Sequence, residues 1–202
     1  LTASRKRIGV FGGAFDPPHQ AHLALATTAM AQLQLDELRV LPTGQAWHKA
    51  RDLSPAEHRL AMVRLAFADL PGVVVDDRET RRAGPSYTVD SLREIQAEQP
   101  GAELFLLIGE DQARALATWH DWQTVVQLAI ICVAARAHLT GAKPQFMPQN
   151  GLGNRFLRLE MPSLTVSATE IRSRFAAHQS VAPLVCEPVA RYIDQHHLYQ
   201  IA

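Results

Sequence analysis

The sequence predicts an α/β fold of the Rossmann-like, doubly wound kind, with a parallel sheet in a single domain over residues 1–202. Three observations carry this expectation. Short β-branched or aliphatic runs alternate with helical patterns along the chain. The runs are nearly continuously apolar, as strands covered on both faces are. A glycine-rich turn follows the first run, and such folds take ligands beyond the carboxyl ends of their strands.

Strands are expected at 7–11, 37–41, 73–76, 104–108 and 129–133, with a later one at 155–160. Helical segments lie between them at about 22–34, 55–69, 88–98 and 110–118. The second carries a start signal, Ser54-Pro55-Ala56-Glu57: a cap, a proline at the first position and a capping-box glutamate. Leu60, Val63, Ala66 and Phe67 then share one face. Residues 141–154, rich in Gly, Pro and Asn, read as a loop before the last strand. Cys132 and Cys186 form no Cys-x-x-Cys pair and read as reduced thiols, Cys132 within an apolar run.

Composition excludes several classes. Lys+Arg and Asp+Glu are both 20, so no basic excess argues for nucleic acid. Hydrophobic residues make up 47% and charged residues 20%, which suits a soluble globular protein. No apolar run approaches the roughly 20 residues of a membrane span. The basic opening, Leu1 to Arg7, lacks the apolar core of a signal peptide, and a cytoplasmic location is expected. The opening on Leu1 predicts that initial residues are missing or processed.

The chemistry concentrates in Gly12-Gly13-Ala14-Phe15-Asp16-Pro17-Pro18-His19-Gln20-Ala21-His22, between the first strand and a helix. Glycines let backbone approach an anion, and a helix start presents unpaired N–H groups. His19 and His22 beside that start fit a polyphosphate, whose charge offsets the macrodipole acting on an imidazolium. Zinc on His19, His22 and Asp16 is the competing reading, but the cysteines offer no further ligand at recognisable spacing. The turn is neither Gly-x-Gly-x-x-Gly nor a P-loop. A second anion motif follows the last strand. In Val166-Ser167-Ala168-Thr169-Glu170-Ile171-Arg172, Ser167 or Thr169 can cap a helix, and Arg172 lies on its first turn. Asp111, beyond an apolar strand, is placed to accept from ribose hydroxyls. Trp122 reads as a core aromatic, and His58, His138, His178, His196 and His197 as structural or surface residues.

The first motif resembles the nucleotidylyltransferase pattern Gly-x-Phe-Asp-Pro-x-His-x-Gly-His, with Ala21 in place of the second glycine. The second is similar to that superfamily's Ile-Ser-x-Thr-x-Ile-Arg. Pro85-Ser86-Tyr87-Thr88, Ile108-Gly109-Glu110-Asp111 and Thr118-Trp119-His120-Asp121-Trp122 resemble segments of the bacterial nicotinate mononucleotide adenylyltransferases, as does Leu41-Pro42-Thr43 with His48-Lys49. The likeness runs from Arg7 to about Leu198. Thr43 stands where that branch often has Asn, and a basic pair after the fifth strand is reduced to Ala135-Arg136.

This resemblance implies adenylyl transfer from ATP to nicotinate mononucleotide, giving nicotinate adenine dinucleotide and pyrophosphate, a step of NAD biosynthesis. It implies His19 and His22 as catalytic residues, and ATP held by Gly12, Gly13, Phe15, His19, His22, Gly109, Asp111, Ser167, Thr169 and Arg172. The mononucleotide would meet Ala14, Phe15, Thr43, His48, Lys49, Ser86, Tyr87, Thr88, Trp119, His120 and Arg136, with the pyridine stacked on Trp119. Mg²⁺ is expected through ATP phosphates and water rather than a protein cage. A related transferase for phosphopantetheine or nicotinamide mononucleotide would share both phosphate motifs. No nucleic acid or membrane partner is expected, and a homo-oligomer is left open.

Overall fold

Strand β1 (Arg7–Gly13) sets the architecture, because its side chains alternate between two cores. In the computed structural model, which describes residues 5–45, 53–136, 153–162 and 164–200, Ile8 and Val10 face one side of the sheet. Phe11 faces the other. The chain continues through α1 (Gln20–Gln32), β2 (Glu37–Pro42), α2 (Ala56–Phe67), β3 (Val73–Val75), α3 (Arg78–Arg81) and α4 (Thr88–Glu98). It then forms β4 (Glu103–Gly109), α5 (Glu110–Ala115), α6 (Trp122–Leu128), β5 (Ala129–Arg136), β6 (Phe156–Met161), α7 (Ala168–Ala176) and α8 (Glu187–Gln195).

The six strands are all parallel, in the order β3-β2-β1-β4-β5-β6. One core lies on the α1, α2, α7 and α8 side and contains Leu25, Met62, Phe67, Ile171 and Val189. The opposite core packs α4 and α6 through Val89, Leu92, Ile95 and Val125. Covering both faces explains why the central strands β1, β4 and β5 read as nearly unbroken apolar runs. The sheet's last edge is blunted by a side chain: the Gln32 amide donates to the Glu160 carbonyl and accepts from the Glu160 N–H, both at 3.1 Å.

Three expectations need revision. The helix expected at 110–118 is α5 followed by a single 3₁₀ turn, Leu116–Thr118. Ser54 does not cap α2. Pro55 is the N-cap residue, with no side-chain cap among the described residues, and the backbone of Ser54 is engaged elsewhere. Its carbonyl accepts from Arg59 Nε at 2.9 Å and its N–H donates to Asp16 Oδ2 at 3.3 Å. Helices α3 and α6 were not expected, being too short to display a 3.6-residue period.

Residues 141–152 of the expected loop lie outside the described residues, while Gly153–Arg155 form a 3₁₀ turn. Both cysteines are free thiols, and burial pushes Cys132 up to about 12. Among the described residues, no helix is long and apolar enough to cross a membrane.

Candidate active site

Strand order reverses between β1 and β4, and there the sheet opens. Their ladder ends at Val10–Leu106, yet both strands run on, to Gly13 and Gly109. The resulting crevice is lined by Gly12, Gly13 and Ala14 from the β1 side and by Leu107, Ile108 and Gly109 from the β4 side. Thr43, Ser86, Thr88, Trp119 and His120 line the same cleft. A Cβ built on Gly12 or Gly109 meets nothing within 4 Å, so both positions face open space.

Beside the crevice, His19 is the N-cap residue of α1 and His22 sits one turn in. Their rings stack with centroids 3.8 Å apart. His22 Nδ1 accepts from the His19 N–H at 3.1 Å, which leaves Nε2 as the hydrogen-bearing nitrogen of a neutral His22. His19 is 7% exposed, and burial lowers its pKa to about 4. Its Nδ1 is buried without a hydrogen-bond partner among the described residues. The anion cradle is narrower than a bare helix start would offer. The Gln20 amide donates to the Leu184 carbonyl at 3.0 Å, and the His19 amide is held by His22.

The Phe15 ring is 2% exposed and packs edge-on against Phe11, His22 and Phe67, so its side chain belongs to the core. A Cβ on Gly13 would come within 3.1 Å of that ring, which ties the glycine to the phenylalanine.

The Val166–Arg172 segment lies against the turn after β1. Ser167 caps α7, its hydroxyl accepting from the Glu170 N–H at 3.2 Å. Arg172 donates from Nη2 to Thr169 Oγ1 at 3.0 Å and from Nη1 to the Asp16 carbonyl at 2.7 Å. It therefore couples the two motifs, which an ordinary surface arginine would not do.

Across the crevice, Thr88 opens α4 behind the N-cap residue Tyr87, and among the described residues no side chain caps this end. The Tyr87 and His120 rings lie 4.4 Å apart, while Trp119 is half-buried against the α4–α6 core. Trp122 packs against the same core, as expected. The Asp111 side chain is 93% exposed and pairs with Arg114 at 3.1 Å, outside the cleft lining. His48 and Lys49 lie outside the described residues, and so does the Arg136 side chain.

Two buried polar residues, Arg59 and Glu79, and the half-buried Tyr199 escaped sequence reading. Arg59, 1% exposed, donates to the carbonyls of Ser54, Ala14 (3.0 Å) and Gly44 (3.1 Å), binding the turn after β1 to the loop after β2. Its signal was present: it precedes Met62 and Val63 by three and four residues, on the apolar face of α2. Glu79 lines the cleft and accepts from the Ser91 hydroxyl at 2.8 Å, its carboxyl raised chiefly by burial. A Cβ on Gly44 would lie 2.1 Å from the Glu79 carbonyl oxygen, so only glycine fits there. Tyr199 donates to Asp16 Oδ1 at 2.6 Å. The four-residue α3 and the C-terminal tail show no pattern that announces Glu79 or Tyr199.

Among the described residues no three His, Cys, Asp or Glu side chains gather as a metal cage.

Sheet order, crevice and paired motifs define a Rossmann-like α/β protein with its site at the switch point. The chain belongs to the cytidylyltransferase-like family, whose model matches residues 10–174. A protein of Albidiferax ferrireducens named "probable nicotinate-nucleotide adenylyltransferase" is 68% identical over 197 residues, covering 98% of this chain and 100% of that one. A protein of Methylibium petroleiphilum with the same name is 45% identical over 199 residues, 96% of this chain and 93% of its own. The fold matches Plasmodium falciparum nicotinic acid mononucleotide adenylyltransferase complexed with NaAD, with a TM-score of 0.75 at 18% identity over 96% of this chain and 98% of that one.

Proposed function

We propose that residues 1–202 form a single adenylyltransferase domain that joins ATP to nicotinate mononucleotide, releasing pyrophosphate, in a cytoplasmic step of NAD biosynthesis. The observation that carries the reading is the crevice between β1 and β4. The stacked His19–His22 pair follows the β1 end of this crevice at the start of α1, and Trp119, His120 and the Thr88 helix start line it. The names of the high-identity relatives agree with it.

In the reaction, a phosphate oxygen of the mononucleotide forms a bond to the α-phosphorus of ATP, and the α–β bridging bond breaks. No enzyme nucleophile is needed, so positioning and charge stabilisation carry the rate. His19 and His22 meet the α-phosphoryl group. His19 arrives neutral from its buried site, and a polyphosphate beside it favours the imidazolium. Thr169 and Arg172 hold the leaving pyrophosphate, and Gly12 and Gly109 admit the nucleotide backbone between the strand ends. Mg²⁺, when bound with ATP, would supply additional charge neutralisation.

On the acceptor side the nicotinate ring stacks on Trp119, and its carboxylate accepts from amides near Thr88 and His120. An amide substrate must turn an NH₂ toward those donors, leaving one unpaired at a cost of roughly 1–3 kcal/mol in a dry site.

A pyrophosphate-release assay with ATP and three acceptors tests the assignment. Nicotinate mononucleotide should exceed nicotinamide mononucleotide in kcat/KM by roughly tenfold or more, and phosphopantetheine should be inert. Trp119→Ala should weaken both mononucleotides without reversing their order, since stacking does not distinguish acid from amide. Equal constants for the two would refute this pocket, and release with phosphopantetheine alone would refute the substrate.

A further inference from the structure

The residue that joins most parts of the phosphate turn is Asp16, three positions before His19 and 2% exposed. Three elements distant in sequence converge on it. The Ser54 N–H, just before α2, donates to Oδ2 at 3.3 Å. Arg172 from α7 donates to its carbonyl at 2.7 Å. Tyr199, beyond α8, donates its phenol to Oδ1 at 2.6 Å, the shortest of the three.

We propose that Tyr199 is a positioning residue for adenylyl transfer, fixing through Asp16 the turn that places His19 against the α-phosphoryl group. The inference rests on the proposed function and adds to it a residue from the chain's other end.

Two features of Tyr199 fit this role better than general packing does. Its backbone sits in the left-handed region at φ 65, a conformation costly for a bulky residue and retained only where the surroundings demand it. Its hydroxyl also stays a donor, because burial and the Asp16 charge push the phenol well above its usual range. A charge-assisted bond from a permanent donor to a buried carboxylate is short and directional, which suits holding a turn in one geometry. The turn matters because small misplacements near reacting atoms are expensive: about 1 Å can cost on the order of a hundredfold in rate.

Tyr199→Phe removes the hydroxyl and keeps the ring. In pyrophosphate-release kinetics it should lower kcat roughly tenfold and leave the mononucleotide KM nearly unchanged, since the acceptor pocket is built from Thr88, Trp119 and His120 across the cleft. The imidazole resonances of His19 should move in the NMR spectrum of the same variant. Tyr192→Phe is the control. Tyr192 meets His58 Nδ1 at 2.9 Å, away from the turn, so this variant should keep parent kcat and parent His19 resonances.

Parent kcat in Tyr199→Phe, unmoved His19 resonances, or an equal fall in Tyr192→Phe would each overturn the proposal. His19→Ala separates the two levels of failure. If His19→Ala is inactive while Tyr199→Phe is normal, only the positioning role falls. If His19→Ala is itself fully active, the reading of the site falls with it.

Discussion

His19 shows how one side chain can serve two ends. Burial holds its pKa at about 4, against 6.5 for an ordinary histidine, so the folded protein keeps the ring neutral where the unfolded chain would protonate it. Acid therefore favours unfolding. The contribution to stability is whole above about pH 7 and is lost as pH falls from 6.5 toward 4. In urea unfolding, the gap between the parent and His19→Gln should narrow by about 2 kcal/mol between pH 7.5 and pH 5. A gap that stays constant would mean that His19 is not desolvated as described.

Residues of this kind were only partly legible. His19, His22 and Ser167 announce themselves through motif and cap chemistry that are local in sequence. Arg59 was readable at an apolar helix position and was passed over. Glu79 and Tyr199 take their meaning from partners distant in the chain, Ser91 and Asp16, and nothing in the local sequence marks them.

Among the elements, the informative ones are the ends of β1 and β4. The strands were legible as apolar runs because both their faces are buried, but the sequence did not show that the two would part beyond Val10 and Leu106. The Ser54 cap did not form: the N-cap falls on Pro55, and the Ser54 backbone is tied to Asp16 and Arg59, contacts made only when the chain folds. The open strand ends give a sharp expectation. A methyl group added by Gly12→Ala meets no atom of the described residues within 4 Å. Thermal stability should stay within about 0.5 kcal/mol of the parent, while the KM for ATP rises roughly tenfold because the crevice is overfilled. An unchanged KM would place the nucleotide elsewhere than between these strands.

At the scale of the molecule, the order β3-β2-β1-β4-β5-β6 is what makes a site possible. Alternating strands and helices predict a parallel sheet, and right-handed crossovers limit its topologies. The actual order, however, depends on which strands pair, and periodicity does not encode that. The reversal between β1 and β4 opens the crevice. The halves then bring different chemistry to it: the histidine turn after β1, the α4 start, and Trp119 beyond β4. Arg172 and Tyr199 reach back to Asp16 from the last part of the chain, so the turn after β1 and the start of α7 are tied into one unit.

The central claim is that this unit stabilises charge on a transferring phosphoryl group. The most direct measurement is the turnover of His19→Ala in pyrophosphate release, set beside mononucleotide binding to the same variant by calorimetry. Turnover should fall on the order of a hundredfold or more, with the mononucleotide Kd staying within about threefold of the parent, a difference of under 1 kcal/mol. Near-parent turnover would contradict the account, and so would a loss of rate matched by an equal loss of mononucleotide affinity.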